Sequence, residues 1–177
     1  MDSRMEPVRK KPRQKRSEET FDLILDTTAN LLEEFGLDKL NTNLICERAG
    51  LTPPALYRYF PNKYAILEEL GRRLMEAQNQ DVYRWFQVDD ADLRDALTIQ
   101  QILRGQYDVT CAQSGGQWIT RALHASPKLA NIRLQSHDHM VEQLVMAQMQ
   151  ETPHADKEFL KQKLLLRLML FLHLGQH

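Results

Sequence analysis

No stretch of this 177-residue chain alternates apolar and polar residues with a period of two, the pattern that a half-buried strand requires. Leucine dominates the apolar positions, β-branched residues are sparse, and apolar side chains recur at three- and four-residue steps nearly throughout. The fold class this dictates is all-α. A hydrophobic content of 42% excludes an intrinsically disordered chain, and the length suits one domain or a small module fused to a larger one.

The formal net charge is −1, which at first argues against a nucleic-acid partner. The sum conceals a segregation. Residues 1–16 carry seven Lys/Arg, among them Arg9, Lys10, Lys11, Arg13, Lys15 and Arg16, against two Asp/Glu, a net of +5 that leaves −6 for the other 161 residues. An arm of this composition, with Pro7 and Pro12, buries too little apolar surface to fold alone. It is either a solvated tail or a flexible arm that neutralises phosphates, and the character of the adjoining helices decides between them. Two cysteines make no disulfide framework, and the start has no apolar segment of a secretory signal. The richest apolar run, Leu164 to Leu174, is too short and too charged to span a bilayer, so no membrane partner is expected and the chain reads as cytoplasmic.

Helix punctuation divides the body. Ser17 is a suitable N-cap for a first helix with a stripe from Phe21 to Phe35, ending at Gly36. Next comes a short helix from about Thr42 to Ala49, capped by Asn41 and stopped by Gly50; a third, with Thr52 as N-cap and Pro53 at its first position, runs to about Phe60. Asn62 caps a longer helix from Lys63 to about Phe86. Beyond Asp89-Asp90 four more helices are expected: Ala91 to Ala112 with a stripe of Leu93, Ala96, Leu97, Gln100, Leu103, Tyr107 and Cys111; Gly116 to His124; Lys128 to Gln150; and Ala155 to near the C-terminus.

Two short helices joined at a glycine and buttressed by a longer first helix form a helix-turn-helix, which docks its second short helix in the major groove. The segment Ala49 to Lys63, AGLTPPALYRYFPNK, resembles the TetR family of transcriptional regulators in Ile45, Ala49, Gly50, Leu51, Thr52, Leu56, Tyr57, Tyr59, Phe60 and Lys63. The match covers roughly residues 17–75. Physical chemistry assigns roles to the same residues. Ile45, Leu51, Leu56 and Phe60 suit a small core. Thr42, Thr52, Tyr57, Tyr59 and Lys63 offer donors for phosphate oxygens, which fix register but read no sequence. Pro53, Pro54 and Ala55 offer only van der Waals contact, for instance with a thymine methyl; Arg58 is the best candidate for a guanine contact, and Asn43 is a second reader. The basic arm, lying just before this unit, is placed to follow the backbone or enter a minor groove. Cys46 fits a packing role, with a redox switch as the alternative.

The resemblance implies four regions: a flexible basic arm (1–16), the helix-turn-helix domain (17–62), a connecting helix (63–88), and a helical ligand-binding and dimerisation domain (89–177). For the last, Gln100, Tyr107, Trp118, His139, Met140 and Gln143 are candidate inward-facing residues of a mostly apolar pocket, against the plainer reading of an ordinary core. The final helix is apolar on almost every side, so Leu165, Leu168, Met169 and Leu172 are expected at a two-fold interface. The family usually places another long helix after this one, whereas the sequence ends at His177; a short member or a truncated chain both fit. His137 and His139 are two apart and the other histidines have no ligand spacing, so no metal and no cofactor are expected. No phosphate loop, nucleophile elbow or CxxC suggests an enzyme. The function expected is a homodimeric regulator, a repressor released from a palindromic operator by a small-molecule effector. A TetR-type activator, or a helical adaptor whose helix-turn-helix no longer meets DNA, is the alternative.

Overall fold

The computed structural model describes residues 15–86, 96–151, 154 and 156–164. All regular structure among them is helical: α1 Lys15–Lys39, α2 Thr42–Ala49, α3 Pro53–Tyr57, α4 Lys63–Phe86, α5 Ala96–Ala112, α6 Gly116–Ala125 and α7 Pro127–Glu151, with α8 over residues 157–164. Leu93, the Asp89-Asp90 break and the candidate interface residues Leu165, Leu168, Met169 and Leu172 lie outside the described residues, as do Arg9, Lys10, Lys11 and Arg13.

The helix boundaries arise from local chemistry. At Gly36 (φ 73°, ψ 175°) the backbone leaves the helical region, so α1 is interrupted three residues before its end. Asn41 Oδ1 accepts from the amide of Leu44 at 3.0 Å and starts α2, and Gly50 (φ 65°, ψ 31°) ends it in the left-handed conformation. Two expectations need correction. Ser17 is not an N-cap, because the helix is already under way at Lys15. α3 ends at Tyr57 rather than near Phe60: Pro61 disfavours a helical Phe60, and the amides of Tyr59 and Phe60 close a turn on the Leu56 carbonyl at 2.9 and 3.1 Å. Asn62 does cap α4, accepting from the amides of Tyr64 and Ala65 at 2.9 and 3.1 Å.

The chain forms two compact units. The first holds residues up to Leu74 together with Cys111–Ile132, so α6 belongs with α1–α3 and the first half of α4. Phe21, Ile24, Leu25, Leu32, Leu40, Ile45, Leu56, Phe60, Ile66 and Leu67 are buried there. Phe21 stacks on Phe60 with ring centroids 4.8 Å apart and meets the edge of Tyr59 at 6.3 Å. A charged tie reinforces the join between α1 and α4. Glu69 receives the Arg72 and Arg73 guanidiniums at 2.7 and 3.1 Å, and Arg73 also reaches Asp22 at 3.0 Å. Burial alone would raise the Glu69 carboxyl, but the two arginines outweigh it and hold it below its ordinary value of 4.5. α6 docks close to α1. Ser114 Oγ lies 2.8 Å from Asn30 Oδ1, and a Cβ on Gly115 would stand 2.7 Å from the Ala29 carbonyl oxygen.

The second unit holds Met75–Thr110 and Arg133–His177, and its described core is Val82, Met140, Val141, Leu144, Val145, Leu160 and Leu164. Tyr83 packs against this cluster and donates to the Met140 carbonyl at 3.4 Å; burial, helped by Glu76, pushes its phenol up to about 12. Asn79 donates to Ser136 Oγ at 2.8 Å. The stripe expected on α5 is one residue out of phase. Leu97 (67%) and Tyr107 (60%) are exposed, as are Gln100 and Cys111, whereas Ile102 and Thr110 are buried. The inward face is partly polar: Gln106 donates to the Gln78 carbonyl at 2.9 Å and Gln78 to Thr110 Oγ1 at 2.8 Å. A search for apolar residues alone misses the polar half of such a face.

The packing can be tested at two places. Gly50 and Gly115 share a φ of 65°, but a Cβ on Gly50 meets nothing within 4 Å. Gly50→Ala should cost only the left-handed strain, about 1 kcal/mol, and Gly115→Ala about 1–3 kcal/mol more, read from urea midpoints. Glu69→Gln should cost about 1–2 kcal/mol at pH 7, the half-exposed arginines limiting the loss. Because the folded carboxyl titrates below its unfolded value, its stabilisation is complete above that value and is lost as pH falls through the folded one. The gap between wild type and Glu69→Gln should therefore hold steady above the ordinary value of 4.5 and narrow in acid unfolding series as the pH falls below it.

Candidate nucleic-acid interface

The core beneath α2 and α3 turns the remaining side chains of the two helices to solvent. Asn43, Thr52, Pro53, Pro54 and Arg58 are exposed, and Ala55 is half-buried. Thr42 Oγ1 and the Tyr57 hydroxyl share a hydrogen bond of 3.0 Å that joins the first turn of α2 to the last of α3. Tyr57 is 38% exposed, so this hydroxyl pair is presented rather than hidden. Arg58 sits with its guanidinium 5.6 Å from the centroid of the Tyr59 ring, an arrangement that orients the charge without neutralising it. Thr52 occupies the N-cap position of α3 but makes no side-chain cap bond, which leaves its hydroxyl for other partners. On the flank, Arg48 pairs with Glu34 at 2.9 Å and ties α2 to α1. Lys15 and Arg16, the described part of the basic arm, are exposed in the first turn of α1.

Two of the expected phosphate donors are placed otherwise. Tyr59 is only 6% exposed, its ring lies against Phe21, and its hydroxyl shares a 3.1 Å hydrogen bond with Ser17, which lowers the phenol from its ordinary value. Phe21 and Phe60 form an aromatic shelf that takes the ring inward; in the sequence Tyr57 and Tyr59 are the same residue type two positions apart, and nothing separates them until that shelf exists. Lys63 Nζ donates to the carbonyls of Leu37 and Leu40 at 3.1 and 2.8 Å. Both carbonyls follow the break at Gly36, one in the last residues of α1 and the other just beyond it. Sequence reasoning misses both Arg48 and the Thr42–Tyr57 coupling; the latter has no local signal because it joins residues fifteen positions apart.

Residues 24–70 match the profile of bacterial regulatory proteins of the tetR family. In its head, the chain is similar to that family. Over 52 residues, 29% of this chain, it is 38% identical to the class A tetracycline repressor protein from transposon 1721 of Escherichia coli and 36% identical to the class C tetracycline repressor protein of Escherichia coli. The matched segment spans about a quarter of each relative's length (24%). A crystal structure described as that of a TetR-family transcriptional regulator from Syntrophomonas wolfei superposes with a TM-score of 0.58 over 90% of this chain and 96% of that one, at 15% identity. The likeness is in fold, and it extends well beyond the TetR-type head.

The candidate pocket residues do not gather as expected. Gln100, Tyr107, His139 and Gln143 face solvent instead of the interior, Met140 is part of the second unit's apolar core, and Trp118 belongs to the first unit, where Arg121 lies 4.8 Å over its ring. Their polarity is the reason, since each outward residue keeps its polar atoms at the surface at no desolvation cost. His139 and Gln143 do meet, at 2.7 Å, beside an open groove of about 450 Å³ that Glu142, Met146 and Ala147 also line. All five residues come from one face of α7. No metal-holding cluster occurs among the described residues, and no described helix is long and apolar enough to cross a membrane. Cys46 is buried, which pushes its thiol up and away from thiolate reactivity, and Cys111 is exposed beside Gln117.

The two tyrosines give a direct check on the assignment of faces. Tyr59→Phe should lower folding stability by about 0.5–1.5 kcal/mol through loss of the Ser17 bond. Tyr57→Phe, at the surface, should stay within about 0.5 kcal/mol of wild type. Equal effects in denaturant titrations would contradict this division.

Proposed function

We propose that the protein is a DNA-binding transcriptional regulator that docks α3 in the major groove, as the TetR-family head suggests. The observation carrying this reading is the exposed edge made by Pro53, Pro54 and Arg58 next to the coupled Thr42 and Tyr57 hydroxyls, on a head whose opposite side is core. In it, Arg58 supplies the bidentate donor fork suited to guanine, and Asn43 is a second reader. Pro53, Pro54 and Ala55 fit against apolar base edges. Thr42, Thr52 and Tyr57 hold the phosphates, and the basic arm adds sequence-independent attraction.

The finer reading is a repressor that acts as a homodimer on a palindromic operator, since a two-fold protein presents two heads to two half-sites. A small-molecule effector bound beyond the head would release it by favouring an arrangement of heads that no longer fits. The relatives' names as repressors support this over an activator. The regulators of the family are in general not enzymes, and no catalytic role is proposed.

Selection from a random duplex library tests the proposal. It should recover an inverted repeat whose half-sites lie about one helical turn, or a multiple of it, apart. Arg58→Ala should then relax one base position at a cost of about 1–3 kcal/mol, while deletion of residues 1–14 should flatten the salt dependence without altering the consensus. Recovery of no sequence would favour the adaptor reading.

A further inference from the structure

We infer that Lys128, at the start of α7, is a phosphate contact outside the helix-turn-helix, one that widens the footprint of each head along the DNA backbone. The inference rests on the DNA-reading function proposed above and adds a residue to it. Tyr64, the second residue of α4, is half-buried and has two cations near its ring. Lys128 Nζ lies 4.6 Å from the ring centroid and Lys63 Nζ 5.6 Å from it. The two nitrogens therefore stand no more than about 10 Å apart, within about one Debye length at 0.1 M salt. Among the described residues neither has a carboxylate partner, whereas Arg48, Arg72, Arg73 and Lys161 all do. The ring contact orients each ammonium without neutralising it, and two like charges so close repel each other until an anion lies beside them. Lys63 uses two of its donors on the Leu37 and Leu40 carbonyls and keeps a third; Lys128 is exposed, with its three donors open to solvent.

The segment that carries Lys128 differs in charge from the rest of the body. Cys111–Ile132 packs with the head rather than with the second unit. It holds Arg121 and Lys128 and no Asp or Glu, in a chain that carries −6 outside its basic arm. Arg121 is turned onto the Trp118 ring, 4.8 Å away, whereas Lys128 is brought to the start of α4. With α3 in a major groove, the turn that follows it rises to the edge of the groove, and α4 begins beside the sugar-phosphate backbone. A lysine at that point meets phosphates flanking the half-site and reads no sequence.

The test uses the full chain, its selected duplex and a scrambled duplex, at a temperature where circular dichroism shows every variant folded. Affinities are followed from about 50 to about 200 mM salt, the range in which counterion release gives a measurable slope. Lys128→Gln should weaken both duplexes together, about fivefold at the lowest salt, and make the slope shallower by about 0.9 for each head bound. Lys128→Arg, which keeps the charge, should retain the parent slope, and the selected consensus should not change. Arg121→Gln removes the same charge from the same segment and should leave affinity and slope as in the parent. An unaltered slope in Lys128→Gln would overturn the inference. Equal losses in Lys128→Gln and Arg121→Gln would trace the effect to net charge at a distance and overturn it too. So would a loss confined to the selected duplex, the mark of a residue that only positions α3. Failure of the parent chain to select any duplex would instead refute the DNA-reading function, and this assignment with it.

Discussion

The head depends on the burial of one ring. Phe21 projects from α1 into the point where the chain returns from α3, stacks on Phe60, meets the edge of Tyr59, and carries the Arg73 guanidinium of α4 5.5 Å from its centroid. Three elements distant in sequence are thus located by a single side chain. An aromatic pair of this kind adds about 0.5–1.5 kcal/mol to the burial of its area, and the larger consequence is geometric. A helix of five residues has almost no stability of its own, so α3 exists because its neighbours hold it.

Electrostatics then fix what packing leaves adjustable. Glu69 is buried, an expensive site for a carboxylate, and two arginines compensate it. Because Arg73 also contacts Asp22 and the Phe21 ring, the same charge that relieves Glu69 orients α4 against α1. At the opposite end of this half of α4, Lys63 donates to the Leu37 and Leu40 carbonyls. This half of α4 is thereby tied at both ends, which would suit the groove reading proposed for α3, since such contacts tolerate little displacement.

Legibility in the sequence tracks the range of the forces involved. The caps at Asn41 and Asn62 and the glycine stops at Gly36 and Gly50 are local hydrogen-bond and dihedral constraints, and they locate the first four helices. The two tyrosines are not separable by pattern because the shelf that buries Tyr59 is assembled from residues nearly forty positions apart. On α5, satisfied polar groups share the inward face with Ile102 while Leu97 and Tyr107 lie outward, so a rule that equates apolar with buried selects a stripe out of phase. That same inversion removes Gln100 and Tyr107 from the interior and leaves the ligand question to chemistry the pattern does not express.

The proline pair at the start of α3 bears on how such a head could discriminate among sequences. Pro53 and Pro54 have no amide hydrogen, and the amides of Ala55 and Leu56 both close on the Thr52 carbonyl, at 2.9 and 3.2 Å. The first turn of α3 therefore offers no backbone donor to a groove or a phosphate. If the protein reads DNA as proposed, hydrogen-bonded discrimination falls to side chains, chiefly Arg58 and Asn43, and the leading turn contributes by shape and apolar contact alone. Shape and methyl contacts distinguish thymine from cytosine but carry no donor–acceptor code, so the information content of the site should concentrate opposite those two residues.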